Sequence, residues 1–266
     1  MLRVGCVKYL NARPLIRGWS GEVDFDHPSA LCKRLANGEL DAALVSSFEF
    51  LRNPIYRIVD DVSISSDGPV YSVVVAHHGN ISEVKEIQLD PASQTAVNLL
   101  RCLLAELGLN PRLIERSTGF LPVGRVGVPR ASIKLDCAYA QLLIGDQAIR
   151  FRQEHSGDFH FWDLGEQWKN LIGLSFVYAL WLVRPEVTDA ETVAGRLRTL
   201  RDENLVHLDR LIAAETEFDH QFCTRYYSEQ LRFNLGEKEK KGLRTFADLC
   251  AKHGVLEKRD LALDVV

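Results

Sequence analysis

Short apolar stretches alternate with amphipathic stretches along the chain, and this alternation predicts an α/β protein with mostly parallel sheets. Strands are expected at residues 2–7 and 41–47, the latter ending in hydroxyl side chains, and a second strand in between is expected to end at 24–26. A helix is expected over residues 28–37, closed by Gly38. Parallel strands end at one edge of a sheet, and ligands of α/β proteins bind at that edge.

The middle of the chain predicts a second set of elements. A polar connection at residues 63–69 precedes an apolar run at 70–76 that suits a buried strand. A short strand at 86–89 is followed by an amphipathic helix over 96–107 that stops at Gly108. The polar start of this helix would face the same ligand cleft.

The second half of the chain begins with strands and ends in helices. Residues 140–149 predict a strand with a polar end, and residues 174–183 predict a second long apolar strand. From Pro185 onward the pattern is helical, with breaks near Gly236 and Gly254.

The two long apolar strands predict a two-lobed molecule, because each suits a buried crossing between lobes. Residues 1–75 plus 180–266 would form lobe 1, and residues 76–179 would form an inserted lobe 2. The ligand cleft is expected between the lobes.

Composition fits a globular protein and excludes several partners. The chain has 266 residues, 46% hydrophobic and 26% charged, with a formal net charge of −4 and a pI near 6.1. Its 32 Lys and Arg form no basic tract, so we expect no nucleic-acid partner. The sequence contains no window of about eighteen uncharged apolar residues, so we expect no membrane partner. The N-terminus is expected to leave no room for a signal peptide. We expect a cytoplasmic protein.

The cysteines lack the spacing of a metal site. They lie far apart, mostly in apolar contexts, and predict reduced core thiols with no bound metal. Their positions are Cys6, Cys32, Cys102, Cys137, Cys223 and Cys250.

The turn after the first strand is a candidate anion site. Asn11 is expected to cap a helix that carries Pro14 in its first turn. A helix N-terminus offers unpaired N–H groups and a partial positive charge, which suit a carboxylate or phosphate. Asn11 is thus either a ligand-binding residue or only a cap.

Two further strand ends carry candidate polar groups. Ser93, Gln94 and Thr95 precede the helix at 96–107 and predict a second anion site or a plain N-cap, while Asp90 is expected to serve the turn. Gly145 would allow close backbone approach to a ligand, and Asp146 would cap the next helix or accept a substrate hydroxyl proton.

Five blocks in order resemble the MqnA/MqnD family of menaquinone biosynthesis, over about residues 3–184. Ile144-Gly145-Asp146 resembles the MqnA branch, because MqnD carries an Ile-His-Glu element there, and this chain has no histidine between His78 and His155. Arg13 and Ser175 depart from the pattern, and Arg13 would strengthen anion binding or lie on the helix surface. The blocks are Tyr9-Leu10-Asn11-Ala12-Arg13-Pro14-Leu15, Leu44-Val45-Ser46-Ser47, Leu89-Asp90-Pro91-Ala92-Ser93-Gln94-Thr95, Leu143-Ile144-Gly145-Asp146-Gln147-Ala148, and 163–168 through 173–181.

The resemblance implies a fold and an activity. The fold would be that of type II periplasmic binding proteins, used as a cytoplasmic enzyme. The MqnA branch is chorismate dehydratase, a hydro-lyase that converts chorismate to 3-[(1-carboxyvinyl)oxy]benzoate in the futalosine route without a cofactor. The alternatives are an MqnD-type 1,4-dihydroxy-6-naphthoate synthase and a non-catalytic solute-binding protein for a small carboxylate. A homo-oligomer is compatible with the sequence.

On this hypothesis Asn11 and Ser93 are catalytic, each at a turn that holds a substrate carboxylate or helps release the C4 hydroxyl. No general base is evident: His27 is the histidine nearest the motifs, and His77 and His78 are expected at the surface. The substrate's own enolpyruvyl carboxylate would then take the proton. Substrate-binding candidates are Tyr9, Ser46, Ser47, Ser72, Gln94, Thr95, Gly145, Asp146 and Tyr178. The aromatics Trp162, Trp168, Phe176 and Trp181 are expected in the core.

Overall fold

Two five-stranded sheets organise the molecule in a computed structural model that describes residues 2–90, 92–115 and 139–266. The first sheet has the order β2-β1-β3-β10-β4 and the second β7-β6-β8-β5-β9. The strands are β1 (Val4–Cys6), β2 (Val23–Phe25), β3 (Ala42–Ser46), β4 (Arg57–Ser66), β5 (Val73–His77), β6 (Glu86–Leu89), β7 (Arg112–Glu115), β8 (Tyr139–Ile144), β9 (His160–Asp163) and β10 (Phe176–Val183).

Both sheets are mixed, and the expectation of mostly parallel sheets is wrong. Strand β1 pairs parallel with β2 and β3, whereas β10 runs antiparallel to β3 and β4. In the second sheet β6 pairs parallel with β7 and β8, and β5 runs antiparallel to β8 and β9. The antiparallel strands β5 and β10 are the first strands after the two crossings between the sheets.

Helices cover the sheets and form the last third of the chain, as the pattern predicts. None of those in the described ranges is both long and apolar enough to cross a membrane. The helices are α1 (Pro28–Ala36), α2 (Ser47–Arg52), α3 (Gln94–Glu106), α4 (Gly145–Glu154), α5 (Leu164–Ile172), α6 (Ala190–Val206), α7 (Leu208–Ala213), α8 (His220–Arg225) and α9 (Glu237–Lys252), with 3₁₀ turns at Leu10–Leu15 and Ile81–Glu83 and a π-helical turn at Tyr226–Gln230.

Strand β4 covers part of the segment expected as a polar connection. Its serines face inward because their hydroxyls find carbonyl partners. Ser63 Oγ donates to Asn234 O at 2.6 Å, and Ser65 Oγ donates to Arg232 O at 3.3 Å. These acceptors belong to a segment far away in sequence. The polar residues of this stretch therefore predicted a connection where the structure has a strand.

The chain crosses from the first sheet to the second between Ser66 and Val73 and returns between Asp163 and Phe176. Asp163 fixes the first crossing, since its carboxylate accepts the backbone N–H of Val70 at 3.0 Å and of Tyr71 at 2.7 Å. The same carboxylate caps α5 by accepting the N–H of Gly165. One buried side chain thus ties the crossing to the second sheet.

Candidate active site

A cavity of about 60 Å³ lies where strand ends of the two sheets meet. The segment after β1, the end of β3 and the segment after β8 all reach it, as expected for the carboxyl edge of an α/β sheet. Six of the predicted site residues line it together: Tyr9, Asn11, Ser46, Ser93, Gly145 and Tyr178. The other lining residues are Val7, Pro28, Leu44, Val45, Ile64, Val73, Ile144 and Ala179.

The turn after β1 is a 3₁₀ helix, and Asn11 is not its cap. Tyr9 occupies the N-cap position without a side-chain hydrogen bond, and Asn11 is the second residue of the helix. Asn11 Oδ1 is buried and has no hydrogen-bond partner. The capping prediction is wrong because the helix starts at Leu10, two residues before the start that an Asn11 cap implies.

Asp146 bridges the two sheets instead of capping its own helix. Its Oδ1 accepts the backbone N–H of Leu10 at 2.8 Å across the cavity edge. Burial raises the pKa of Asp146, while the Leu10 N–H and the charges of Arg13 and Arg150 act to lower it. The prediction that Asp146 caps α4 is wrong, since the N-cap residue is Ile144.

Ser93 caps α3 as predicted. Its Oγ accepts the N–H of Ala96 at 3.3 Å, and the helix runs from Gln94 to Glu106. Asp90 accepts the N–H of Ala92 at 2.9 Å and so serves the turn, as expected.

Ser46 and Thr95 join the sheets at a second point. Their hydroxyls hydrogen-bond each other, and the N–H of Thr95 donates to Ser46 Oγ at 3.1 Å. Thr95 Oγ1 also accepts the N–H of Phe48 at 3.1 Å. The N–H groups of Leu10 and Thr95, at the starts of these two helices, are therefore paired with acceptors from the opposite side of the cavity.

Three of the predicted binding residues lie behind the cavity wall. Ser47 is fully buried and its Oγ donates to Val177 O at 2.7 Å. Ser72 is also fully buried, and its carbonyl accepts the N–H of Gly145 at 2.8 Å. Gln94 carries a buried Oε1 without a partner.

Gly145 allows a close approach to its backbone, as expected, but the group that approaches is the ring of Tyr9 and not a ligand. Its φ is +56°, and a Cβ there would come within 3.0 Å of the Tyr9 ring. Burial and the charges of Asp90 and Asp146 raise the pKa of Tyr9 to about 12, so its hydroxyl stays protonated at neutral pH.

Tyr178 lines the cavity from β10. Its hydroxyl lies 3.0 Å from Ser66 Oγ, and burial with the nearby charge of Asp163 raises its pKa well above the usual value. Trp168, Phe176 and Trp181 are buried in the core, as predicted.

None of the described residues that line the cavity is a histidine. His27 is exposed at the N-cap of α1, without a side-chain capping bond. His77 is only 5% exposed, so its expected surface position is wrong; β5 continues through it and buries the ring, and burial lowers its pKa.

Arg13 does not line the cavity but lies close to lining residues in sequence, and it forms an ion pair. It contacts the buried carboxylate of Glu215 and lies 3.8 Å from Glu217. Its guanidinium is therefore already paired with protein carboxylates.

Adjacent tyrosines near the C-terminus support the cavity, and the motif analysis missed them. Tyr227 donates its hydroxyl to Leu10 O at 2.9 Å, and Tyr226 donates to Ser72 Oγ at 2.7 Å. Their only sequence signal is a Tyr-Tyr pair within a helical segment, which does not indicate a distant contact.

The described residues contain no group of three His, Cys, Asp or Glu side chains arranged for a metal ion. The five cysteines in this part of the chain are buried free thiols, as predicted, and Cys137 lies outside the described residues.

A family model for menaquinone biosynthesis, VitK2_biosynth, matches residues 2–252. The chain belongs to this menaquinone biosynthesis family. A chorismate dehydratase of Thermus thermophilus is 30% identical to it, covering 92% of this chain and 93% of that protein. The resemblance noted in the sequence is thus confirmed.

Solved structures confirm the fold class. A protein of Archaeoglobus fulgidus aligns with a TM-score of 0.70 at 16% identity, and the alignment covers 96% of the present chain and 98% of the Archaeoglobus chain. The alkanesulfonate-binding protein SsuA from Xanthomonas axonopodis, bound to MOPS, aligns with a TM-score of 0.66 at 18% identity over 100% and 97% of the chains. Together with similar neighbours they show the periplasmic-binding-protein fold.

Proposed function

We propose that this protein is a cytoplasmic chorismate dehydratase that eliminates water from chorismate to give 3-[(1-carboxyvinyl)oxy]benzoate. The observation that carries the proposal is that residues of all five family-like blocks meet in one cavity between the sheets. The similarity to a chorismate dehydratase supports the choice of substrate.

In this reaction the main task of the protein is to position the substrate, and few chemically reactive side chains are needed. Loss of the C3 proton and the C4 hydroxyl turns the cyclohexadiene into a benzene ring, so the product is strongly favoured. The C3–H electron pair enters the ring, the C4–O bond breaks, and the proton and hydroxide leave together as one water. Neither redox chemistry nor group transfer is needed, so we propose that the reaction uses no cofactor.

We infer that the substrate's two carboxylates replace the protein acceptors at the cavity edges. The N–H of Leu10 is held by the Asp146 carboxylate, and the N–H of Thr95 is held by Ser46. Each donor suits an anion, because backbone N–H groups at helix starts bind carboxylates. A carboxylate from the protein thus occupies the place that a carboxylate of chorismate would take.

Substrate entry requires the two sheets to separate. The cavity of about 60 Å³ is far smaller than the roughly 300–1,000 Å³ of ordinary ligand pockets. Breaking the Leu10–Asp146 and Thr95–Ser46 bonds would widen it and free both donors at once. Binding and opening are then one event.

The proton at C3 is proposed to pass first to the substrate's enolpyruvyl carboxylate, which then gives it to the departing hydroxide so that one water leaves. Among the described residues, those that line the cavity include neither His nor a carboxylate side chain, and Asp146 is engaged by Leu10. An intramolecular base held in position can be as effective as a protein one. Asn11 and Ser93 then orient the substrate, and Asn11→Ala is expected to lower turnover about 10²-fold.

Incubation of the purified protein with chorismate alone tests the proposal. A product lighter by one water that keeps the enolpyruvyl ether supports dehydration. Binding of chorismate without turnover would favour a solute-binding protein, and conversion only of a larger nucleoside-derived substrate would favour the MqnD-type reaction.

A further inference from the structure

A second, larger cavity lies on the other side of β1 from the candidate active site. It is lined by residues of segment 7–25 and by Glu217, and we call it the outer pocket. Strands β1 and β2 pair in parallel and end at Cys6 and Phe25, so the outer pocket also lies at the carboxyl edge of the sheet, where α/β proteins bind ligands. Among the described lining residues only Val7 belongs to both cavities, so the two sites are separate.

The outer pocket has the size of a small-molecule site. Its volume is about 520 Å³, within the range of roughly 300–1,000 Å³ of ordinary ligand pockets. A single aromatic ring with its substituents fits into this space.

The walls of the outer pocket carry a net positive charge. The described lining residues include three cations, Lys8, Arg13 and Arg17, and one acid, Glu217, which together give a charge of +2. The carboxylate of Glu217 is also paired with Arg150 of α4. The charge of the pocket therefore favours an anionic ligand.

Two of these cations lack a carboxylate partner within the protein. The guanidinium of Arg13 contacts the buried carboxylate of Glu215, so its charge is already used. Lys8 and Arg17 are exposed and form no ion pair within the part of the chain that the structure describes. Lysine and arginine bind carboxylates through charge-assisted hydrogen bonds. Lys8 and Arg17 are thus available to a ligand with one or two carboxylates.

Two aromatic rings line the same cavity. Phe25 is 44% exposed at the end of β2, and Lys8 Nζ lies 5.8 Å from the centroid of its ring. Trp19 is half-buried, and the guanidinium of Arg196 lies 4.2 Å from the centroid of its ring. Arg196 also donates to Ser20 Oγ at 2.6 Å, which helps to hold the indole in place. These rings offer apolar surface that a flat ligand would cover.

We propose that the outer pocket is a binding site for a small carboxylate built on a flat apolar ring, such as a benzoate. The carboxylate pairs with Lys8 and Arg17, and the ring packs against Phe25 and Trp19. An inorganic anion would leave the aromatic rings uncovered, and a neutral ring would leave the cations unpaired. The site is additional to the candidate active site and does not depend on the proposed reaction.

Benzene-1,3-dicarboxylate is the probe that tests the proposal. Calorimetric titration of the wild-type protein should show saturable binding that weakens as salt is added. Tryptophan fluorescence should change in parallel, because Trp19 is the one of the four tryptophans that is not buried. Benzene-1,3-dicarboxamide, which has the ring without charge, and sulfate, which has the charge without a ring, should each bind at least about tenfold more weakly.

Variants of the lining residues locate the bound probe. Lys8→Gln and Arg17→Gln should each weaken binding about tenfold, as expected for the loss of a charge-assisted contact. The matched control is Lys241→Gln, since Lys241 is exposed on α9 and does not line the pocket. Trp19→Phe should remove the fluorescence change and keep the heat of binding.

Asn11→Ala distinguishes the outer pocket from the candidate active site, because Asn11 lines only the latter. Binding that persists in Asn11→Ala and is lost in a Lys8→Gln/Arg17→Gln double variant supports the proposal. Equal affinity in the wild type and the double variant, loss of binding in Asn11→Ala, or equally tight binding of sulfate or the dicarboxamide would overturn it. None of these measurements requires turnover of chorismate, so failure of the proposed function would leave their result unchanged.

Discussion

The backbone N–H of Leu10 donates a 2.8 Å hydrogen bond to the carboxylate of Asp146, which lies in the first turn of α4 on the opposite side of the cavity. The contact joins the turn after β1 of the first sheet to the start of α4, which follows β8 of the second sheet. It also places a carboxylate at the N–H group that we assign to a substrate carboxylate.

Asp146→Asn should change the pH dependence of stability. Burial raises the pKa of Asp146 in the folded state, so its favourable contribution is present at acid pH and is lost as the pH rises through that pKa. Asparagine keeps an acceptor for Leu10 and does not ionise. The melting temperature of the variant relative to wild type should therefore be higher at about pH 7 than at about pH 4. A difference that does not vary with pH would refute this account of Asp146.

Thr95→Val should weaken the contact at Ser46. The variant keeps the shape of the side chain but loses the bond to Ser46 and leaves the N–H of Phe48 without its partner. A loss of about 1–3 kcal/mol in the free energy of unfolding is expected from denaturant titration. The control is Thr245→Val, whose hydroxyl bonds only Lys241 O on the exposed side of α9, with a change within about 0.5 kcal/mol. Equal effects at both positions would count against a contact between the sheets.

Gly145→Ala should disturb the site through Tyr9. Both Gly145 and Gly108 have positive φ, +56° and +67°, but only at Gly145 would a Cβ meet a neighbour, the Tyr9 ring at 3.0 Å. Gly108→Ala measures the backbone cost alone, about 1–2 kcal/mol. Gly145→Ala should lose more stability than this and also lower kcat/KM, whereas Gly108→Ala should leave kcat/KM unchanged. Equal losses of stability with normal kinetics in both variants would show that the Tyr9 contact is unimportant.

Local sequence signals were sufficient where an element is defined by its own residues. Strand β6 has the predicted bounds Glu86–Leu89, and α3 has the predicted Ser93 cap, because an apolar run and a capping hydroxyl act over a few residues. The strand ends also converge as expected, so Asn11, Ser46 and Gly145 line one cavity.

The expectations failed where distant residues decide the structure. The serines of β4 are buried because the segment after Tyr227 supplies their acceptors. Asp146 pairs with Leu10, 136 positions away in sequence, which no capping rule predicts. Tyr226 likewise acts through Ser72, so its place at the site follows only from the fold.

The most direct test of the central claim is to incubate the wild-type protein with chorismate, without added metal or nucleotide, and to identify the product by mass spectrometry and NMR. The account predicts a product lighter by one water with an aromatic ring and an intact enolpyruvyl ether, formed much more slowly by Asn11→Ala. Recovery of unchanged chorismate, with protein confirmed as folded by its melting curve, would contradict it.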